Sequence, residues 1–341
     1  MHRPQGERRP SEVVNLGYVV NVIEDLSERA ETLKCAWKLA ERVMIVAARV
    51  DFHTGEDLED CADGVLTSKD TFQKFFTQAE LRDWIDTTLD VLSVAAGPGI
   101  FFVFRQEEDR QRFSSRLFRR RLSAPIGTIS DKLFDAHREI LTPLTRFFED
   151  RGRLPEPEEL ENSAALIEAF GSIARAFRVV RNATGELPWN EIEDQRSDDL
   201  LVYLALQRFR KRPKASDLPV ELRYDVKAFF GSYTAACSEA DHLLFSAGDT
   251  ARVGEVSKLV DFGKTTPEAY YFHETGLERL PPILRALEGC ARVVIGEVEG
   301  ANIIKLNRDR PKISYLSYPT FDDTAHPTLA FSVVVWLDTM V

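Results

Sequence analysis

"SEVVNLGYVVNVIED", residues 11–25, decides how the amino-terminal third of this 341-residue chain is read. Its apolar part, "VVNLGYVV" at 13–20, is short and valine-rich, which suits a strand covered on both faces. The stretch 26–43, "LSERAETLKCAWKLAERV", then repeats apolar positions at helical spacing, at Leu26, Ala30, Leu33, Trp37 and Ala40. A second strand follows from Arg42 to Val50. A strand, helix, strand unit makes its two strands parallel, so the region reads as Rossmann-like α/β.

Beyond it, residues 51–70 read as a polar loop, and "TQAE" at 77–80 is a capping box opening a helix to about Asp90. "VLSVAA" and "IFFVFR" are two further strands joined by "GPG" at 97–99. That connection is too short for a helical crossover, so the pair is expected to be an antiparallel hairpin. Parallel strands finishing in such a hairpin are uncommon among dinucleotide-binding folds and habitual in one large class of methyltransferases.

From Glu107 the sequence turns to "EEDRQRFSSRLFRRR", a charged helical connector taken to residue 122. Helical patterns follow at 130–150, through "LPEPEELENSAALIEAFGSIARAFRVV", at Asp198–Lys211 and at Val220–Ser246, giving an all-helical region over 123–248. Beyond Gly248 a helix at Leu280–Glu288 is expected to lead through Gly289 into strands "ARVVIGEV", "ANIIKLNR", "KISYLSY" and "FSVVVWLD", a small α+β domain over 249–341. The fold class is thus α/β: a partial Rossmann-like sheet over 1–106, then a helical region, then an α+β tail.

Composition narrows the function. A formal charge of −11 disfavours a general nucleic-acid coat, so any DNA contact must be local. No apolar run approaches the roughly 18 residues needed to span a bilayer, and "MHRPQGERRP" lacks the apolar core of a secretory signal, so a cytoplasmic location is expected. Cys35, Cys61, Cys237 and Cys290 are widely spaced and read as free thiols. The histidines show no HExxH or close Cys/His pair, so no metal site is expected. Ser232 and Ser246 do not sit in a G-x-S-x-G elbow, which disfavours a serine hydrolase.

Three long phrases resemble one family. "VVNLGYVVNVIEDLSERAETLKCAWKLAERVMIVAARV", "DDLLVYLALQRFRKRPKASDLPVELRYDVKAFFGSYTAACSEADHLLFSAGD" and "EGCARVVIGEVEGANIIKLNRDRPKISYLSYPTFDDTAHP" are similar to DNA phosphorothioation-associated methyltransferases of bacteria. The resemblance implies a class I S-adenosylmethionine-dependent methyltransferase domain with a family-specific tail. In such domains the cofactor binds at the carboxyl ends of the central strands, where the topology switches. "NLGYVVNVIED" looks like the fourth strand and its exit, beside the transferred methyl group.

Twelve residues precede Val13, whereas three strands with their crossovers need on the order of 80, at roughly 30 per unit. "GPG" precedes no helix, and no other glycine-rich nucleotide loop occurs. The expectation is therefore a truncated domain whose amino-terminal half comes from elsewhere, this chain alone being inactive. Implied partners are that separate half, DNA phosphorothioation proteins and DNA. The rival expectation is a non-catalytic DNA-contacting or scaffold subunit of the same system.

By the resemblance Asn15, Gly17, Tyr18, Asn21 and Glu24 occupy the cofactor-binding strand. The asparagines would bond polar groups, Gly17 would allow close approach and Tyr18 would stack on an adenine or a target base. The plainer account makes Gly17 a packing site and the asparagines turn caps. "NLGY" departs from the "(D/N)PPY" of amino-directed DNA methyltransferases at both prolines, which counts against base amino methylation, and no catalytic base can be named. For nucleic acid the candidates are Arg112, Arg116, Arg119 and Arg120 of the connector, set against pairing with Glu107, Glu108 and Asp109. "RFRKRPK" at 208–214 is a second basic cluster, and Lys305, Arg308, Lys312, Tyr315, Tyr318 and His326 are candidates in the tail.

Overall fold

The computed structural model describes residues 9–50, 59–67, 71–120, 132–184, 187–324 and 326–338. The chain is mixed α/β and divides into two compact units, one made of 1–114 with 246–341 and one of 115–245. Two segments read in the sequence as separate, 1–106 and 249–341, therefore share the first unit.

The first segment runs β1 (Ser11–Gly17), α1 (Leu26–Leu39), β2 (Ala40–Ala47), short strands β3 (Glu59–Cys61), β4 (Gly64–Leu66) and β5 (Phe72–Gln73), α2 (Gln78–Leu89), β6 (Val94–Gly97), β7 (Ile100–Phe104) and α3 (Glu107–Leu117). Asp25 caps α1 by accepting from the Glu28 N–H at 2.7 Å. Thr77 and Glu80 form the capping box of α2. The sheet order is β1-β2-β7-β6, with β1 parallel to β2 and the β6–β7 hairpin antiparallel. Strands β3, β4 and β5 form a separate antiparallel sheet, β3 and β4 within the 51–70 stretch read as a polar loop and β5 just after it; 51–58 and 68–70 lie outside the described residues.

One sheet face carries Leu16, Met44, Val46, Phe101 and Val103, packed with Leu33 of α1 and Leu81 and Ile85 of α2. Burying Phe101 completely contributes roughly 2–3 kcal/mol. On the other face Phe113 of α3 packs against Phe102 and Phe104 of β7, at ring centroids 5.3 and 5.4 Å apart. That helix roofs β7, while over β1 Val13 stays 51% exposed. The expectation that β1 is covered on both faces is corrected: it is an edge strand with one side in the core.

The second unit is helical: α4 (Lys132–Ala136), α5 (Arg138–Arg151), α6 (Ser163–Phe170), α7 (Ile173–Thr184), α8 (Leu187–Leu206), α9 (Val220–Phe230) and most of α10 (Tyr233–Gly248). Two helical patterns that look continuous are broken at Gly171 and Gly231, whose φ values of 81° and 71° are left-handed. The helix expected from Asp198 begins earlier, at Leu187. Phe148 and Phe177 stack at 4.3 Å with Trp189 edge-on to both, forming the aromatic centre of one core.

The chain re-enters the first unit with α11 (Thr250–Leu259), β8 (Lys264–Thr265), β9 (Ala269–His273), α12 (Pro282–Ile295), β10 (Ile303–Asn307), β11 (Lys312–Ser317) and β12 (Phe331–Trp336). The strands form an antiparallel sheet ordered β12-β11-β10-β9-β8. The strand expected at "ARVVIGEV" is not one. Residues 291–295 are the last turn and a half of α12, which passes through Gly289 and is buried nearly all round. Complete burial outweighs the strand preference of Val293, Val294 and Ile295 and the helix penalty of Gly289.

Segment meets segment at the end of that helix. Arg82 and Gln78 of α2 donate to the orphan carbonyls of Val293 and Val294. The Glu297 N–H bonds the Ala96 carbonyl at 3.1 Å. Gly296, at φ 75°, lies so close to β6 that a Cβ there would stand 2.2 Å from the Gly97 nitrogen. Only glycine permits that approach.

Candidate functional site at the carboxyl end of the first strand

Because β1 and β2 are parallel, their carboxyl ends lie side by side. Leu16 and Val20 anchor β1's exit in the core, while Asn15 and Tyr18 are exposed and Gly17 is half-buried. Asn15 and Gly17 share the face opposite Leu16. A Cβ on Gly17 would stand 3.2 Å from Asn15 Oδ1, so the glycine leaves room for that amide. Tyr18 donates its N–H to the Ala47 carbonyl at 2.7 Å and then turns sharply, with a φ of 56°. Its ring is 59% exposed. A bulky residue in the left-handed region is uncommon, and such positions gather at functional sites.

Asn21 is fully buried in the turn of 3-10 helix at Val20–Val22. Its Nδ2 donates to the Lys74 carbonyl at 3.1 Å, its own carbonyl accepts the Lys74 N–H at 2.7 Å, and its Oδ1 has no hydrogen-bond partner. Glu24 is exposed, with Cys61 Sγ 3.8 Å from its Oε1. Asn21 thus ties β5's exit to the β1 turn, while Asn15, Tyr18 and Glu24 are exposed around it.

A framework that the sequence does not announce holds this turn. Arg29 of α1, 2% exposed, donates to the Ile23 carbonyl through two nitrogens and to both carboxylate oxygens of Asp63, at 2.7 and 3.0 Å. The Phe72 and Phe76 rings lie 5.6 and 5.9 Å from its guanidinium. Lys74 bridges to Glu80 at 2.8 Å and reaches Asp63 at 3.9 Å. The hydrogen bond from Arg29 holds the Asp63 carboxyl below its ordinary value. Arg29 falls in an ordinary amphipathic helix, and Asp63 in the Asp-Gly turn between β3 and β4. Neither carries a motif; the only signal is an arginine near the apolar face of α1.

The connector arginines are engaged nearby. Arg112 pairs with Glu108 at 2.9 Å and Asp109 at 3.4 Å, both within α3. Arg119 pairs with Asp150 at 3.0 Å, and Arg120 with Asp199 at 2.6 Å. Arg116 is exposed on α3. Arg105 and Arg110, in the same basic stretch, sit respectively 3.7 Å over the Trp37 ring and 2.5 Å from Glu107, and Arg121 lies outside the described residues. In the "RFRKRPK" cluster Arg212 pairs with Asp241 at 2.7 Å.

The tail candidates separate. Arg308 donates to the Thr266 and Gly254 carbonyls at 2.9 and 3.3 Å. Tyr315 is buried, its O–H donating to Glu288 at 3.0 Å, and burial pushes its phenol well above its ordinary value. Lys312 lies 4.5 Å over the Trp336 ring, and Lys305 5.3 Å from the Tyr271 ring. Tyr318 and His326 line one cavity. Among the described residues no cluster of three or more His, Cys, Asp or Glu side chains is arranged to hold a metal, and no helix is long and apolar enough to cross a membrane.

No protein-family profile, curated protein or solved structure matches this chain.

Proposed function

We propose that the first unit contributes the second half of an S-adenosylmethionine-dependent methyltransferase domain acting in a DNA phosphorothioation setting, completed by strands added along β1. One observation carries this: a parallel pair finishes in an antiparallel hairpin, and "NLGY" stands at the carboxyl end of the pair's edge strand. That is where the family resemblance would put the cofactor and the methyl acceptor.

The residues present fit one wall of such a site. The Asn15 amide and the Tyr18 ring are exposed there and Gly17 leaves space beside them, while the buried Asn21 holds the turn that follows. Asn15 and Glu24 would bond polar groups of the cofactor and Tyr18 would offer a stacking surface, while Arg29 and Asp63 fix the turn that presents them. The cofactor, when bound, supplies an electrophilic methyl group for in-line transfer to a nucleophile. The protein's part is chiefly positioning.

The glycine-rich turn that would form the opposite wall is not in this sequence, an observation that favours the rival scaffold role. Calorimetry separates the two. Titration of this chain with S-adenosylmethionine is expected to give no heat of binding. A polypeptide joining the coding segment upstream of Met1 to this chain is expected to give a one-site isotherm, weakened at least tenfold by Asn15→Ala or Tyr18→Ala. Stop codons immediately upstream, or a joined protein that binds no cofactor, would leave the scaffold role standing.

A further inference from the structure

A cavity of about 940 Å³ opens beside β9 and the turns that flank it, at the upper end of the size range of small-ligand sites. Part of its wall is aromatic, from Phe262, Tyr271, Tyr318 and Phe321. The rest carries cations and proton donors, Lys264, Arg279, His273 and His326, and no carboxylate is among the described lining residues. In a chain of net charge −11 this is a local reversal of sign, which draws anions.

The polar groups are disposed to serve a ligand. His273 Nδ1 is engaged by Thr275, 3.3 Å from its N–H and 2.9 Å from its Oγ1, so Nε2 is the ring nitrogen left for a ligand. Arg279 lies 4.4 Å from the Phe262 ring centre. Its partner Asp261, at 3.2 Å, is 81% exposed and Arg279 is 61% exposed, so the pair is weak and a phosphate can replace the carboxylate. Phe321 is 41% exposed, a large ring in solvent beside the His273 ring, 5.6 Å away.

We infer that this cavity binds a nucleoside phosphate, its base against the aromatic wall and its phosphate held by Lys264, Arg279 and the imidazole donors. An aliphatic anion would leave the rings without a role, and an uncharged aromatic would leave the cations without one. A free nucleotide and the unpaired end of a nucleic-acid strand both present this chemistry. The site shares no residue with the end of β1 and stands whether or not the methyltransferase reading does.

The test is calorimetric titration of the full chain with AMP, adenosine, inorganic phosphate and a single-stranded oligothymidylate. AMP or the oligonucleotide is expected to bind, with adenosine and phosphate each at least tenfold weaker than AMP. Tighter binding of the oligonucleotide identifies a strand end as the source, and tighter binding of AMP a free nucleotide. Phe321→Ala removes an exposed ring and is expected to weaken binding roughly tenfold, the scale of one base stacked on one aromatic side chain. Lys264→Glu is expected to weaken it and flatten its salt dependence, thermal denaturation of both variants matching the parent. No binding of AMP or oligonucleotide at millimolar concentration overturns the assignment. So does unchanged affinity in both variants, or phosphate alone binding as tightly as AMP.

Discussion

Two sets of cations tell opposite stories. The connector and the strand end before it hold seven arginines within residues 105–121 and look in sequence like a phosphate-binding strip. Lys264, Arg279, His273 and His326 are scattered over about sixty residues, and only His326 stands out in sequence as a candidate. In the structure Arg110, Arg112, Arg119 and Arg120 have carboxylates within 3 Å, whereas the scattered set lines a cavity with no carboxylate among its described lining residues, Arg279 meeting only the exposed Asp261 at 3.2 Å. What decides availability is the nearest carboxylate, not the density of basic residues along the chain.

The strongest challenge to that contrast is a buried arginine cluster that must keep its carboxylates. In the second unit Asp225 accepts from Arg153 at 2.6 Å and from Arg151, and Arg153 also grips Glu159 at 2.6 Å. Asp225→Ala leaves the Arg153 guanidinium buried with one of its two carboxylate partners gone. Chemical denaturation should show a loss of about 3 kcal/mol or more, the scale for breaking a buried pair from one side. A loss below about 1 kcal/mol, the scale of an exposed pair, would mean these arginines are freer than their geometry says.

Asp63 tests the same idea by titration. Its carboxyl sits below the ordinary value of 3.8 because Arg29 donates to it. A depressed carboxyl contributes stability that is present above the unfolded value and is lost as pH falls through the folded value. Asp63→Asn should therefore lower thermal stability at neutral pH and converge on the parent in acid. Parallel pH profiles for the two proteins would contradict it. The smallest effect belongs to Arg112→Ala, an exposed intrahelical pair worth about 0.5 kcal/mol or less. It should also leave binding of the oligothymidylate unchanged, and a large drop there would restore the connector as a nucleic-acid contact.

Much of the first unit was legible because its signals are local. Val43 to Ala47, the Thr77–Glu80 box and the Gly97–Gly99 hairpin each declare themselves within a few residues. The end of α12 was not legible, since the β-branched run at 293–295 is helical only through burial by distant partners. Nor was the joining of residues 1–114 to 246–341. It depends on Arg82 reaching a carbonyl 211 positions away and on the backbone contact of Gly296 with Gly97. Of the candidate site, Asn15, Gly17 and Tyr18 were found from their place on the strand. Arg29 and Asp63 were not, because a buried ion pair leaves no pattern when its members are 34 residues apart.

The open side of β1 bears most on function. The chain has a second long apolar edge at β12, where Phe331 and Val334 are also exposed, while β8 ends the same sheet in two residues including Lys264. Unprotected edges invite further strands, but only β1 carries the "NLGY" end. Amide hydrogen exchange, followed on this chain and on the polypeptide joined to its upstream coding segment, compares the two edges directly. Fast exchange is expected at the outward amides of β1 in this chain, strong protection of the same amides in the joined protein, and no change at β12. Protection of those outward amides in the monomeric chain alone, or equal exchange in both proteins, would contradict that expectation.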